Sequence, residues 1–263
     1  MKPAKPSPAK PSDGIAWITG ASTGIGAAVA KRLVAEGWTV AITARDAGKL
    51  QALADAHPGK MIVAAGDVTD AEAMKVLRFS IETEAGRPVA LALLNAGAWQ
   101  EMGAADFDLK SFRQMVEVNL LGTANLLDAV MPPMMARRSG QIAIVASVAG
   151  YRGLPRAVAY GATKAALISM AESLKFDLDR AGVTMTLVNP GFVRTPMTAR
   201  NSFPMPFLLE VEDAATRIVR GLATGRFEVA FPWQLVTPLK FLQILPARLF
   251  FAAVAKATKN TMP

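Results

Sequence analysis

Short, continuous apolar runs alternate along the chain with longer stretches whose apolar residues recur at helical spacing. Residues 15–18, 39–43, 61–65, 89–94, 142–146, 183–188 and 227–231 read as about seven strands. Most of these runs contain no alternating polar position, as expected of parallel strands buried on both faces. Helices are expected over 27–36, 46–56, 70–84, 111–136, 157–181 and 213–224, with Asp46 as an N-cap and Gly37 closing the first. Strands and helices in this rhythm imply right-handed crossovers and one doubly wound parallel sheet with helices on both faces, an α/β fold of Rossmann type. No repeat or linker interrupts residues 14–232, which therefore read as a single domain.

The polar residues at the ends of these elements carry the chemistry. Strand 15–18 runs into Thr19-Gly20-Ala21-Ser22-Thr23-Gly24-Ile25-Gly26 and then into a helix. Strand, glycine-rich turn and helix N-terminus form a cradle for a dinucleotide pyrophosphate. The glycines permit close approach, and free N–H groups with a partial positive charge face the phosphates. A turn that only joins the two elements is the plainer alternative. Ser147 follows the apolar run 142–146, which leaves its hydroxyl at a strand's carboxyl edge, where open α/β sheets bind ligands. Tyr160 and Lys164 lie four apart, on one face of a helix. A fixed ammonium beside a phenol favours the phenolate, so Lys164 is expected to lower the Tyr160 pKa and prepare it for proton transfer. By itself this spacing also fits a surface tyrosine next to a solvated lysine.

Taken in order, Thr19 to Gly26, Asn95-Ala96-Gly97, Asn119, Ser147, Tyr160, Lys164 and Pro190-Gly191 resemble the signature of the short-chain dehydrogenase/reductase family. The resemblance implies hydride transfer between a nicotinamide cofactor and a carbonyl or alcohol. It implies that Tyr160 donates or accepts the proton and that Lys164 tunes it and holds the nicotinamide ribose. It also implies that Ser147 orients the reacting oxygen and that Asn119 holds a water in the proton relay; a helix-surface amide is the other reading of Asn119. Gly20, Ser22, Thr23, Gly24, Ile25 and Gly26 would hold the pyrophosphate, and Asp67 with Val68 the adenine, although a helix-capping Asp67 competes. Asn95, Ala96 and Gly97 would border the cofactor, and Pro190, Gly191, Val193 and Thr195 would meet the nicotinamide. Leu94 stands where the family more usually has a first asparagine, a loss expected to be structural.

At the end of the second strand, uncharged Ala44 occupies the usual acidic position and Arg45 follows it. A guanidinium there pairs with a 2′-phosphate, so NADP(H) is favoured over NAD(H). A solvated strand-end charge is the competing reading, and Asp46 is adjacent. Residues 196–212 take the place of the family's variable substrate lid. Phe203, Met205, Phe207, Leu208 and Leu209 would give it an apolar inner face, with Trp99 at the same mouth. The expected substrate is an apolar carbonyl compound or alcohol. The alternative function is a non-catalytic NADP(H)-binding sensor or scaffold, which would need neither Ser147 nor Tyr160.

Composition narrows the field further. The 263 residues include no cysteine and a single histidine, His57, in a polar turn, so thiol chemistry, a Ser-His triad and histidine metal sites are not expected. The net charge of +8 is concentrated at the ends: Lys2, Lys5 and Lys10 precede Asp13, and Lys240, Arg248, Lys256 and Lys259 follow Glu228 with no acid among them. Basic ends on a near-neutral body argue against a nucleic-acid face and fit anionic surfaces. Residues 1–13, rich in Pro and Lys and without a signal peptide's apolar core, read as a disordered tail on a cytoplasmic protein. Residues 233–263 form an apolar, basic extension broken by Pro238 and Pro246, too interrupted to span a bilayer. Two short helices of 233–257 on a membrane surface and a tail covered by another subunit of a homo-oligomer both remain open.

Overall fold

A computed structural model describes residues 6–258 of the chain. Seven parallel strands form one sheet in the order β3-β2-β1-β4-β5-β6-β7. They are β1 (Ile15–Thr19), β2 (Val40–Thr43), β3 (Met61–Val63), β4 (Val89–Leu94), β5 (Gln141–Val145), β6 (Thr184–Pro190) and β7 (Glu228–Phe231). The helices are α1 (Gly24–Ala35), α2 (Ala47–Asp55), α3 (Ala71–Ala85), α4 (Leu109–Met115), α5 (Gly122–Ala136), α6 (Val158–Arg180), α7 (Val211–Ala223), α8 (Trp233–Ile244) and α9 (Ala247–Thr258). The order in which strands are added reverses between β1 and β4, and the cofactor-binding crevice of such folds opens at that point.

Side-chain alternation along β1 shows how the two layers are built. Ile15 and Trp17 join the core beneath α3, α5 and α6, whereas Ala16 and Ile18 face α1 and α7 on the other side. Trp17 is fully buried and satisfies its indole N–H by donating to Thr43 Oγ1 at 2.8 Å. Asp46 caps α2, its carboxylate accepting from the Lys49 backbone N–H, and Gly37 follows the α1 C-cap at φ +91°.

Several element boundaries differ from the sequence pattern, three of them with a clear local cause. The pattern places β3 over 61–65, but the paired strand ends at Val63; Ala64 N–H and Gly66 N–H still donate to Ile42 O and Ala44 O, and Gly66 lines the crevice. The pattern ends β6 at Val188, whereas Asn189 and Pro190 continue it against Ala230 and Phe231 of β7. Proline is tolerated there because β5 has already ended, at Val145 opposite Val188. The expected helix 111–136 begins earlier, with Asp108 capping α4, and contains a π-helical stretch, Val116–Leu121, before α5.

The expected disordered tail is a packed segment over residues 6–13. Ala9 N–H donates to Gln141 Oε1 at 3.1 Å, Thr184 Oγ1 donates to Ser7 O at 2.9 Å, and Arg87 donates to Pro11 O at 2.8 Å. Gln141 and Thr184 begin β5 and β6, so the segment lies across the amino-terminal edge of the sheet; residues 1–5 lie outside the described part. At the other terminus, residues 233–258 form α8 and α9, while 259–263 lie outside the described part. Among the described residues, no helix is long and apolar enough to cross a membrane.

Candidate active site

The carboxyl ends of β1, β2, β4, β5 and β6 open into one cavity of about 580 Å³. Gly20, Ser22, Thr23, Gly24 and Ile25 line its floor, Arg45, Asp67 and Val68 one end, and Asn95, Ala96 and Gly97 its centre. Ser147, Tyr160, Lys164, Pro190, Gly191, Val193 and Thr195 line the other end. Two of the residues expected to act in catalysis or bind the cofactor lie off this surface. A Cβ on Gly26 would come within 2.4 Å of Gly20 O, so Gly26 lets α1 close against the turn. Asn119 sits behind the wall, fully buried.

The cavity floor fits a dinucleotide. Gly20 and Gly24 hold φ of +65° and +56°, which side-chain-bearing residues rarely adopt. A Cβ at Gly20 would meet Ala96 at 2.8 Å. Thr23, the N-cap of α1, makes no side-chain cap, and the first turn holds no acidic residue. The leading N–H groups and positive end of this helix therefore suit an anion. Asn95 braces the turn, its Nδ2 donating to Thr19 O and Gly20 O at 3.0 and 3.2 Å. It ties β4 to β1 although Leu94, buried in the core, has replaced the preceding asparagine. Asp67 spends Oδ1 on the backbone and hydroxyl of Thr69 and leaves the α3 cap to Asp70, which corrects the helix-capping reading of Asp67.

Asn119 occupies the π-helical stretch, where the extra residue per turn brings its amide inward. Its Oδ1 accepts from Ala98 N at 2.6 Å, and its Nδ2 donates to Ala98 O at 3.0 Å and to Thr163 Oγ1 at 3.1 Å. Thr163 in turn donates to Tyr160 O at 2.8 Å. The amide thus ties the 95–99 loop to the helix bearing Tyr160, and a helix-surface reading of Asn119 does not hold. Thr163 went unrecognised in the sequence because its role depends on the inward turn of Asn119.

Lys164 is buried and donates to Val145 O at 2.8 Å, with its Nζ 5.5 Å from the centroid of the Tyr160 ring. Burial pushes the Lys164 pKa down to about 8. Burial also raises the Tyr160 pKa, and the opposing influence is the neighbouring Ser147 hydroxyl. Lys164 makes no hydrogen bond to the phenol here, because its ammonium is drawn to the end of β5. Ser147 Oγ accepts from Ala149 N at 3.1 Å and donates to Pro190 O at 3.4 Å, which links the serine and nicotinamide-side loops.

A chain of aromatic contacts starts at the tyrosine. Trp99 meets Tyr160 edge-on with centroids 4.8 Å apart, and Phe203 lies 6.4 Å from Trp99 and 5.9 Å from Phe192. Trp99 Nε1 donates to Asn201 Oδ1 at 2.7 Å, and Ser202 Oγ donates to Glu101 Oε2 at 2.7 Å, which together fasten the 196–212 segment. Of the five expected lining residues only Phe203 joins the aromatic cluster, and none borders the cavity. Phe207, at φ +57°, is half-exposed, and Leu209 pairs with Val193 and joins the core. At the opposite end, Lys49 lines the cavity beside Arg45, and sequence reading missed it because it lies one helical turn beyond the strand end.

Residues 14–204 match the short chain dehydrogenase family. An uncharacterized oxidoreductase of Myxococcus xanthus is 38% identical over 92% of this chain and 96% of its own length. A second, from Staphylococcus epidermidis, is 32% identical over 81% of this chain and 93% of its own. A short-chain dehydrogenase structure from Streptomyces avermitilis superposes with a TM-score of 0.80 at 26% identity, covering 94% of this chain and 98% of that one. The chain belongs to the short-chain dehydrogenase/reductase family. It is an oxidoreductase of the CH–OH/C=O type in a family that uses NAD(P)(H), and the reading as a non-catalytic sensor yields to that assignment.

Proposed function

We propose that this enzyme is an NADP(H)-dependent reductase of apolar carbonyl compounds, with Tyr160 as the general acid, and acts in reverse on the corresponding alcohols. The observation that carries the substrate class is the aromatic cluster of Trp99, Phe203 and Phe192, in which Trp99 packs edge-on against Tyr160. Apolar surface brought against these rings leaves water at roughly 25 cal/mol per Å². Bound at this site, the cofactor supplies the hydride during reduction and accepts it during oxidation.

The side chains manage the proton and the developing charge. Tyr160 gives its phenolic proton to the carbonyl oxygen, and its raised pKa keeps that proton available at neutral pH. The Ser147 hydroxyl hydrogen-bonds the same oxygen and fixes its position. Val145 O uses one of the three Lys164 donors, which leaves the others to a ribose hydroxyl and to stabilising charge on the phenolate. Asn119 holds the loop and helix in register. Arg45 and Lys49 at the adenosine end support a 2′-phosphate contact. Asp46 does not oppose it strongly, because its carboxylate already caps Lys49 N and pairs with Lys49 Nζ at 3.0 Å.

Two wider contacts complete this reading. Half-exposed or exposed Phe107, Leu109, Leu121, Val158 and Phe176 on α4 to α6 and their flanks support a homo-oligomer. On α8 and α9, exposed Trp233, Phe241, Ile244, Leu249 and Phe251 accompany Arg248 and Lys256 without any acid. That composition favours an anionic bilayer surface over a second copy of the same face, whose like charges would meet across a two-fold axis.

The deciding assay follows NADPH and NADH oxidation with ketones of increasing apolar size, for the wild type and Tyr160→Phe. Turnover should rise with apolar size, prefer NADPH and fall by roughly 10²–10⁴-fold in the variant, the range for loss of a positioned acid. Equal rates for short hydrophilic ketones would overturn the substrate class, and substantial turnover by Tyr160→Phe would overturn the role of the tyrosine.

A further inference from the structure

The loop between Ser147 and Tyr160 must hold both side chains in register, yet it has few bonds of its own. Gly150 N–H and Tyr151 N–H close a short turn on Ser147 and Val148, and beyond it only Ala157 N–H reaches back, to Leu154 O at 3.4 Å. Its fixed points come from outside. Arg152 donates to Leu242 O at 2.6 Å, Gln243 O at 3.3 Å and Leu245 O at 2.7 Å. These carbonyls end α8, where a helix leaves its acceptors unpaired and partial negative charge collects. The same guanidinium lies 3.9 Å above the ring centroid of Phe250 in α9, a cation–π contact. Gln243 Nε2 returns a bond to Tyr151 O at 2.9 Å.

A second tie passes through one carboxylate. Glu228 Oε1 accepts from Tyr151 Oη at 2.6 Å and from Asn189 Nδ2 at 2.9 Å, and Oε2 pairs with Lys240 of α8. Burial opposes ionisation of Glu228, but these three donors outweigh it and hold its pKa below the ordinary value. Asn189 leads directly into Pro190 and Gly191 of the cavity wall. Leu235 of α8 reaches within 2.7 Å of the place a Cβ on Gly191 would occupy, so the helix also rests against that wall.

We propose that the C-terminal helix pair is a positioning element of the reaction centre, with Arg152 and Glu228 as the positioning residues that couple it to the Ser147–Tyr160 loop and to the Asn189–Gly191 turn. None of Tyr151, Arg152, Glu228 and Lys240 lines the cavity, so each acts through the residues that do. The assignment rests on the proposed roles of Ser147 and Tyr160.

The test is steady-state kinetics of the full chain at saturating NADPH, with thermal melting and NADPH titration on the same samples. Arg152→Ala should lower kcat by between about tenfold and a hundredfold, the scale expected when a remote change shifts reacting groups by an ångström or less. The cofactor Kd should stay within about twofold, because the pyrophosphate cradle is untouched. Arg152→Lys, which keeps a cation at the helix end, should recover part of the loss. Tyr151→Phe removes one hydroxyl with little risk to folding, and it should lower kcat in the same direction. If kcat per folded molecule is unchanged in both Arg152→Ala and Tyr151→Phe while only melting shifts, the ties merely anchor the terminus and the proposal falls. Tyr160→Phe in parallel separates the two readings: a variant that still turns over removes the tyrosine's role, whereas an inactive one beside a fully active Arg152→Ala removes the positioning role alone.

Discussion

Lys164 is the residue whose surroundings depart furthest from its ordinary chemistry. Burial lowers its pKa from 10.5 to about 8. Below about pH 8 both folded and unfolded chains hold the proton, and the destabilisation of the buried ammonium is fully present. Between 8 and 10.5 the unfolded chain binds a proton that the folded chain has released, so stability rises with pH across that window. Urea midpoints of the wild type should therefore gain on those of Lys164→Met between about pH 8 and pH 10; a constant difference would mean that the lysine titrates normally. At the adenosine end, charge-assisted bonds of about 1.5–3 kcal/mol predict that Arg45→Ala and Lys49→Ala each raise the KM for NADPH by roughly 10–100-fold and leave that for NADH nearly unchanged. Equal effects on both cofactors would refute the phosphate contact. Arg45 was legible because it ends a strand at a recognisable distance from the glycine turn. Lys49 and Thr163 were not, since their partners are set by a helix start and a π-helical turn that periodicity does not reveal.

The amino-terminal segment shows at the level of elements what composition leaves out. Proline and lysine spacing suggests no structure for residues 6–13, and the side chains of Gln141, Thr184 and Arg87 supply it. Gln141 accepts from Ala9 N and donates to Thr186 Oγ1 at 3.1 Å and to Leu222 O at 3.1 Å, so it joins the segment, β6 and α7. Gln141→Ala strands these groups, at about 1–3 kcal/mol for each one left buried and unpaired. Chemical denaturation should show a loss of at least that size, and a loss under about 0.5 kcal/mol, ordinary for a surface site, would mean that water replaces the amide. The same limit explains the π-helical stretch. Apolar periodicity made 111–136 one helix and found nearly the right length, but a local widening that leaves the apolar face intact has no signature in that pattern.

For the molecule as a whole, the doubly wound parallel sheet and its crevice were legible because they follow from alternating strands and helices and one glycine turn. The division of labour at the carboxyl terminus was not. The extension read as an appendage, yet α8 contacts β7 and the active-site loops while turning Trp233, Phe241 and Ile244 outward. Flotation with vesicles should bring the full chain up with anionic lipid and leave it down with neutral lipid, and raising the salt should reverse the capture, because the attraction is screened. Sedimentation at the bottom under all conditions would leave the apolar face to another protein copy, to be read by its molecular mass in solution. Residues 6–13 have a separate consequence. They cross the amino-terminal edge of the sheet, at the starts of β5 and β6, while the cavity opens at the strands' carboxyl ends. A tether fixed at exposed Lys10 would thus hold the protein by its base, with its mouth turned away from an electrode or resin and open to the stream of reactant.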